Sequence, residues 1–280
     1  MEPLIKNLPE SILTALTSDY CTKHKDAYGN EMKVQMMDMS QFGMGVICPQ
    51  CELDKENAKV IKSITDEAIE RERNKRKNTL HYRSVFSDES IKDAGFKNYE
   101  TRTAEERKNK DLALKAVAHY KSGKTFTTML KGDTGVGKSH LAMAIVRNLN
   151  AKLDTECAFI NVRRMLMMIK NSFNDEESPY TQMYFIDLLA RVEFLVLDDL
   201  GNESGDKEAT RFVSEVLTEV LESRQKKAMI VTTNFSREQL ERIYSKPLIS
   251  RLLKGAAIIK FEETTDKRVK PFDLNQEVEG

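Results

Sequence analysis

Gly132-Asp133-Thr134-Gly135-Val136-Gly137-Lys138-Ser139 is the stretch of this chain whose residue types and spacing are most specific to one chemistry. Its glycines let the backbone curl so that successive N–H groups point into one concavity, and a helix starting at Lys138 adds its partial positive charge there. Such a cradle takes triphosphate oxygens, with Lys138 reaching the β- and γ-phosphates and the Ser139 hydroxyl on Mg²⁺. A glycine-rich turn can carry the same letters, so the flanks decide. Residues 125–131 form the β-branched and apolar run of a buried parallel strand, and Leu141, Ala142, Ile145 and Val146 recur on one side of a helix over residues 138–148. Gly132 to Ser139 and the following His140 are therefore candidate nucleotide-binding residues.

A metal ion and an attacking water need further groups. Phe194-Leu195-Val196-Leu197 is a second apolar run and ends in Asp198-Asp199. A carboxylate at the C-terminal end of a strand beside the phosphate loop can hold Mg²⁺ through its waters, which assigns Asp198 to the metal side and Asp199 to the water. Without the upstream glycine loop, the pair would read as a solvated acidic turn. A third apolar run, residues 228–233, closes on Asn234, which is placed to sense a γ-phosphate. Arg251 stands in the mostly apolar helix end Pro247-Leu248-Ile249-Ser250-Arg251-Leu252-Leu253. It either stabilises charge on a transferring phosphoryl group or makes a surface salt bridge.

This order of P-loop, acidic strand, polar strand end and helix-end arginine resembles that of AAA+ ATPases. The finer pattern resembles the DnaC/DnaI family of replicative helicase loaders. Gly-Lys-Ser-His-Leu-Ala over residues 137–142, Leu195-Val196-Leu197-Asp198-Asp199-Leu200-Gly201 followed by Glu203, Thr232-Thr233-Asn234 and Ser250-Arg251-Leu252 carry the resemblance, which covers roughly the C-terminal two-thirds of the chain. It implies that Asp198 belongs to a Walker B strand, that Asn234 is a sensor 1 residue, and that Arg251 is an arginine finger completing the site of an adjacent copy. Most such enzymes have Glu where Asp199 stands, one methylene longer, so slow hydrolysis is expected. Arg268 resembles the family's terminal arginine and would act as a second sensor, although a tail of mixed charge reads the same way. After the last expected strand, residues 256–261, only a short polar tail remains, too little for a helical lid, which loaders of this family also lack. The resemblance further implies a hexameric replicative helicase and single-stranded DNA as partners. Transposition-helper ATPases of the IstB type share these motifs and are the rival. A non-hydrolysing mimic that sequesters the helicase is the third reading.

Near the N-terminus, Cys21-Thr22-Lys23-His24 and Cys48-Pro49-Gln50-Cys51 pair potential ligands at two-residue gaps, a spacing compatible with structural Zn²⁺ held by Cys21, His24, Cys48 and Cys51. The alternative is unrelated cysteines and a surface histidine. Tyr28-Gly29-Asn30 reads as a turn and residues 32–37 as a strand, giving a small zinc-ribbon-like unit whose stability would come largely from the metal. Loaders of the DnaI type carry such a domain to contact the helicase, whereas IstB-type ATPases are not expected to. Cys157, in a strand-like run, reads as an inert core thiol.

The expected architecture is thus α/β: a lidless AAA+ P-loop ATPase with a parallel sheet over residues 91–280, a charged helical linker over 53–90 and the zinc-binding unit over 1–52. The linker carries Val60, Ile61, Ile64, Ala68 and Ile69 at near-helical spacing, then a basic run at residues 71–77 that either touches phosphate or is a solvated face. Residues 96–99 bring an aromatic toward the adenine pocket, as the resemblance implies. On a helix over residues 162–173, Arg163, Arg164, Lys170 and Phe173 either follow single-stranded DNA or are simply exposed, beside a Met165, Leu166, Met168 and Ile169 stripe expected in the core. Basic and acidic residues number 44 each, so DNA binding has to come from such local patches. No apolar run approaches membrane-spanning length and no signal pattern starts the chain, so a cytoplasmic location without membrane association is expected.

Overall fold

The computed structural model describes residues 15–204 and 208–268. They divide into two compact units at Arg71/Glu72, inside the long helix α1, Pro49–Tyr82.

The first unit holds an antiparallel sheet of β1 (Leu16–Lys25), β2 (Glu31–Asp38) and β3 (Val46–Ile47) in that order, followed by the start of α1. The β1–β2 turn is closed by Asp26, whose carboxylate accepts the amides of Tyr28 and Asn30 at 2.8 and 2.9 Å. The zinc-ribbon-like hairpin expected from the sequence is present. Along α1 the apolar residues Val60, Ile61, Ile64 and Ile69 are exposed. In its last turns Arg73 and Lys77 pair with Asp154 at 2.7 and 2.8 Å, and Arg76 pairs with Glu72 at 3.5 Å.

The second unit is a three-layer α/β domain. Its parallel sheet has the order β5-β6-β7-β4-β8, formed by β4 (Thr127–Gly132), β5 (Cys157–Asn161), β6 (Phe194–Asp198), β7 (Ala228–Thr233) and β8 (Ala257–Phe261). Strands β5, β6 and β7 are buried along their whole length. They read as continuous apolar runs because both faces of a parallel sheet are covered.

Alternate residues point to opposite faces. Met129, Leu195, Leu197, Met229 and Val231 face one core, shared with α4 (Val162–Ser172), α5 (Gln182–Arg191), α6 (Arg211–Ser223), α7 (Arg237–Tyr244) and α8 (Lys246–Leu253). Leu130, Phe194, Val196, Ala228 and Ile230 face the other, against α2 (Ala104–Lys121) and α3 (Lys138–Leu153). On α4, Met165, Leu166 and Ile169 are buried as expected, Met168 packs at the core edge, and Arg163, Arg164 and Lys170 are exposed. Cys157 is fully buried and desolvation pushes its thiol far up, so it is an inert core residue.

Candidate nucleotide site and cysteine–histidine cluster

The loop between β4 and α3 opens at the C-terminal edge of the sheet, where an open α/β sheet places its ligand. Gly137 caps α3 at φ +95°, and a Cβ there would lie 3.0 Å from Cε2 of Tyr99. Only glycine combines that backbone with that approach. A cavity of about 370 Å³ lies over this loop, lined among others by Tyr99, Lys138, Ser139, Asp198, Asp199 and Asn234.

Strand order assembles the acidic side. Because β6 pairs with β7, the ends of the two strands share one hydrogen-bond network. The Thr232 hydroxyl donates to Asp198 Oδ1 at 2.8 Å and accepts the Asp199 amide at 2.9 Å. Ser139 and Asp198, the two residues assigned to Mg²⁺, line the same cavity. Asp198 is 2% exposed, and burial, with Asp199 beside it, pushes its carboxyl up to about 6 against the Thr232 hydroxyl and the nearby polar groups of Ser139 and Asn161. Asp199 adopts φ +58°, and its Oδ2 lies 3.4 Å from Asn161 Nδ2.

Lys138 is buried, which pulls its ammonium pKa down, while Asp199 and Asp198 oppose that shift. Its Nζ donates to the Asp133 carbonyl at 2.6 Å. Asn234 Nδ2 donates to Thr134 Oγ1 at 3.1 Å, so the sensor position and the loop already touch. Two buried polar atoms on the cavity wall, Asn234 Oδ1 and the Tyr99 hydroxyl, have no protein partner. Orphaned groups of this kind at a cation-rich loop fit a polar ligand with several acceptors and donors. The residues present therefore fit a magnesium nucleotide.

Several other expected residues sit differently. His140 lies on the cavity wall, but its Nε2 is 3.0 Å from the Gly95 carbonyl and 3.2 Å from Asn98 Oδ1, which ties the 95–98 loop to α3. Arg268 also lines the cavity, with Nε 3.6 Å from Asp266 Oδ1. Arg251 is absent from that lining. It lies on the surface, bonded to Glu222 at 2.8 Å, beside a separate basic cavity that includes Lys226, Lys227 and Lys254. Glu203 accepts from the Gly201 amide at 3.0 Å and from the Tyr244 hydroxyl, so it braces the turn after β6. Sequence reading did not single out Asn161, Thr232 as a ligand of Asp198, or the C-terminal Asp266 and Lys267. A polar residue ending an apolar strand was the available signal for the first two.

In the first unit, a regular strand would place residues three apart on opposite faces. The β1–β2 register shifts between Cys21 and His24, and this bulge restores both side chains to one side. Cys48 immediately precedes α1 and Cys51 lies in its first turn, an i, i+3 pair on one helix face with Pro49 opening the helix. The four ligand atoms all lie within 4.8 Å of one another, with His24 Nε2 3.2 Å from Cys48 Sγ and 3.3 Å from Cys51 Sγ. The His24 Nδ1 faces Asp54 Oδ2 at 3.4 Å, the outer partner that fixes a ligating imidazole. All these cysteines are free thiols, and three sulfurs with one imidazole suit a tetrahedral Zn²⁺.

Fold and site together define a P-loop nucleotide-binding protein of the AAA+ class with a parallel five-stranded sheet. The model of the IstB-like ATP binding protein family matches residues 51–264, and the chain belongs to that family. It is 21% identical over 200 residues to the replicative helicase loader DnaC of Escherichia coli strain K12, covering 70% of this chain and 78% of that protein. A crystal structure of the DnaC helicase loader superposes with a TM-score of 0.54 at 19% identity, covering 62% of this chain and all of the other. A crystal structure of DnaI does so at 0.53 and 26% identity, covering 63% of this chain and 95% of the other. The resemblance to DnaC/DnaI-type loaders read from the motifs is thus met in sequence and in fold. No helix among the described residues is long and apolar enough to cross a membrane.

Proposed function

We propose that this chain is an ATP-dependent loader that binds a hexameric replicative helicase and delivers it onto single-stranded DNA. The observation that carries the reading is the conjunction of the Lys138–Ser139–Asp198–Asp199 site with a Cys₃His cluster whose Cys21, His24 and Cys48 precede the matched family region and whose Cys51 opens it. Magnesium-bound ATP supplies the phosphoanhydride whose cleavage drives the cycle. Lys138 meets phosphate charge, Ser139 and Asp198 hold the metal and its waters, and Asp199 orients a water. Asn234 reports the state of the phosphates to β7. Arg251, outside its own chain's cavity, serves the site of an adjacent copy, so the active unit is an oligomer. Arg268 acts as the second sensor. Zn²⁺ holds the first unit in shape to grip the helicase, and Arg163, Arg164 and Lys170 follow the DNA backbone. The assembly works in the cytoplasm.

The test is co-purification of the full chain with candidate hexameric helicases, with and without ATP. Recovery of helicase that depends on nucleotide supports the reading. Recovery of a transposase on double-stranded DNA would overturn it in favour of the transposition helper, which the family match favours over the ATPase region alone.

A further inference from the structure

We propose that residues 262–268 form an autoinhibitory strap whose Asp266 carboxylate lies in the phosphate loop and has to leave before a nucleotide can settle there. This rests on the reading of that loop as a nucleotide cradle. At Gly135, φ +83°, a Cβ would lie 1.9 Å from Asp266 Oδ1 and 2.1 Å from its Cγ, so the carboxylate fills the space that glycine keeps open. The Lys267 amide then donates to the Gly135 carbonyl at 3.1 Å, joining strap and loop through the backbone.

The strap has a fixed root and a fixed tip. At the root, the Glu105 carboxylate in the first turn of α2 accepts the amides of Glu262, Glu263 and Thr264 at 2.7, 3.1 and 2.8 Å, together with the Thr264 hydroxyl. Nearer the tip, Lys267 Nζ reaches Glu106 Oε1 at 3.0 Å and the Glu100 carbonyl at 2.8 Å, and lies 4.2 Å from the centroid of the Tyr99 ring. Tyr99 is itself packed on Gly137, so the strap closes over both glycines at once.

A carboxylate and a phosphate carry the same sign and compete for the same volume. Occupancy by one excludes the other, and the strap position becomes a readout of nucleotide state. The root stays held by Glu105 while Asp266 leaves the loop and the Lys267 amide lets go of the Gly135 carbonyl, and Arg268, which already lines the cavity, remains to meet the phosphates. A cradle open for only a fraction of the time binds with an affinity reduced by that fraction.

The experiment uses the full chain with ADP and ATP. Asp266→Ala removes both the charge and the atoms that fill the loop, and binding should tighten about tenfold if the cradle is strapped most of the time. Hydrogen exchange reads the motion separately. On adding nucleotide to wild-type protein, the Lys267 amide should lose protection while the Glu262, Glu263 and Thr264 amides keep theirs. Wild-type protein that binds nucleotide with Lys267 still protected, or an Asp266→Ala variant that binds no tighter, overturns the strap and leaves the cradle intact. Loss of nucleotide binding by both proteins overturns the cradle, and the strap falls with it. Unchanged thermal unfolding of the variant excludes a folding defect.

Discussion

Thr232→Val removes a single hydroxyl that two acidic residues share, at nearly constant shape. The hydroxyl donates to Asp198 Oδ1 at 2.8 Å and receives the Asp199 amide at 2.9 Å, in a position with no solvent exposure. A hydrogen bond to a charged group contributes about 1.5–3 kcal/mol, and one pKa unit corresponds to about 1.4 kcal/mol. Losing the donor disfavours the carboxylate, so Asp198 should rise by about one to two units from a value already pushed up to about 6 by burial and Asp199. Magnesium-nucleotide binding needs the carboxylate form. The affinity of wild-type protein should therefore fall as pH drops through about 6, and the variant should lose affinity at a clearly higher pH. The measurement is calorimetric titration with magnesium ADP across pH values bracketing both midpoints. An identical midpoint in the two proteins would refute the assignment of Thr232 as the tuning residue. Stability runs the opposite way. Asp198 is raised above its unfolded value, so its contribution is full below the ordinary carboxylate range and is lost as pH rises through about 6.

Three further outcomes follow from the same geometry. Lys138→Met keeps the buried stem and deletes the charge beside Asp198 and Asp199, and nucleotide affinity measured with a fluorescent analogue should fall by about tenfold to a hundredfold. Cys48→Ser removes a ligand set within 4.8 Å of its partners, so metal analysis should show zinc lost and exchange protection of β1 and β2 should collapse while the ATPase unit keeps its own. Arg251→Ala should leave nucleotide affinity unchanged, because the residue lies outside its own cavity, yet lower hydrolysis by about a thousandfold. Mixing it with Lys138→Met should restore part of the rate, since one protein supplies an intact cradle and the other an intact finger. No recovery on mixing would refute a finger supplied by an adjacent copy, and hydrolysis unchanged in Asp199→Ala or Arg251→Ala would favour a non-hydrolysing mimic.

Much of the ATPase unit could be read from the chain because its signals are local. An apolar run that changes abruptly to Gly-rich or acidic residues marks the end of a buried parallel strand, and the strands 127–132, 194–198 and 228–233 fall where residues 125–131, 194–197 and 228–233 were expected. The cysteine pairs were legible for the same reason, since each pair is a short local spacing. Element ends were less legible. The linker helix runs 49–82 where a helical linker over 53–90 was expected, because Pro49 can open a helix and no Gly or further Pro interrupts the charged stretch up to Tyr82.

What escaped the sequence is set by which strands become neighbours. Asn161 ends β5, Asp198 ends β6 and Thr232 lies near the end of β7, and only the order β5-β6-β7 makes their side chains converge on one pair of carboxylates. Arg224 shows the same limit in the core. This charged residue caps the end of α6, yet it is 2% exposed and donates to the carbonyls of Leu189, Val192, Glu193 and Ala228. Those carbonyls belong to the end of α5, the turn into β6 and the start of β7, and a guanidinium with five donors is the side chain that can satisfy all of them from one point. Glu105 does for the C-terminal strap what Arg224 does there, with the signs reversed: one carboxylate collects three amides from residues more than 150 positions away. In each case a long-range bond by one charged side chain fixes where a strand end or tail lies, and the nucleotide cradle is built from those ends.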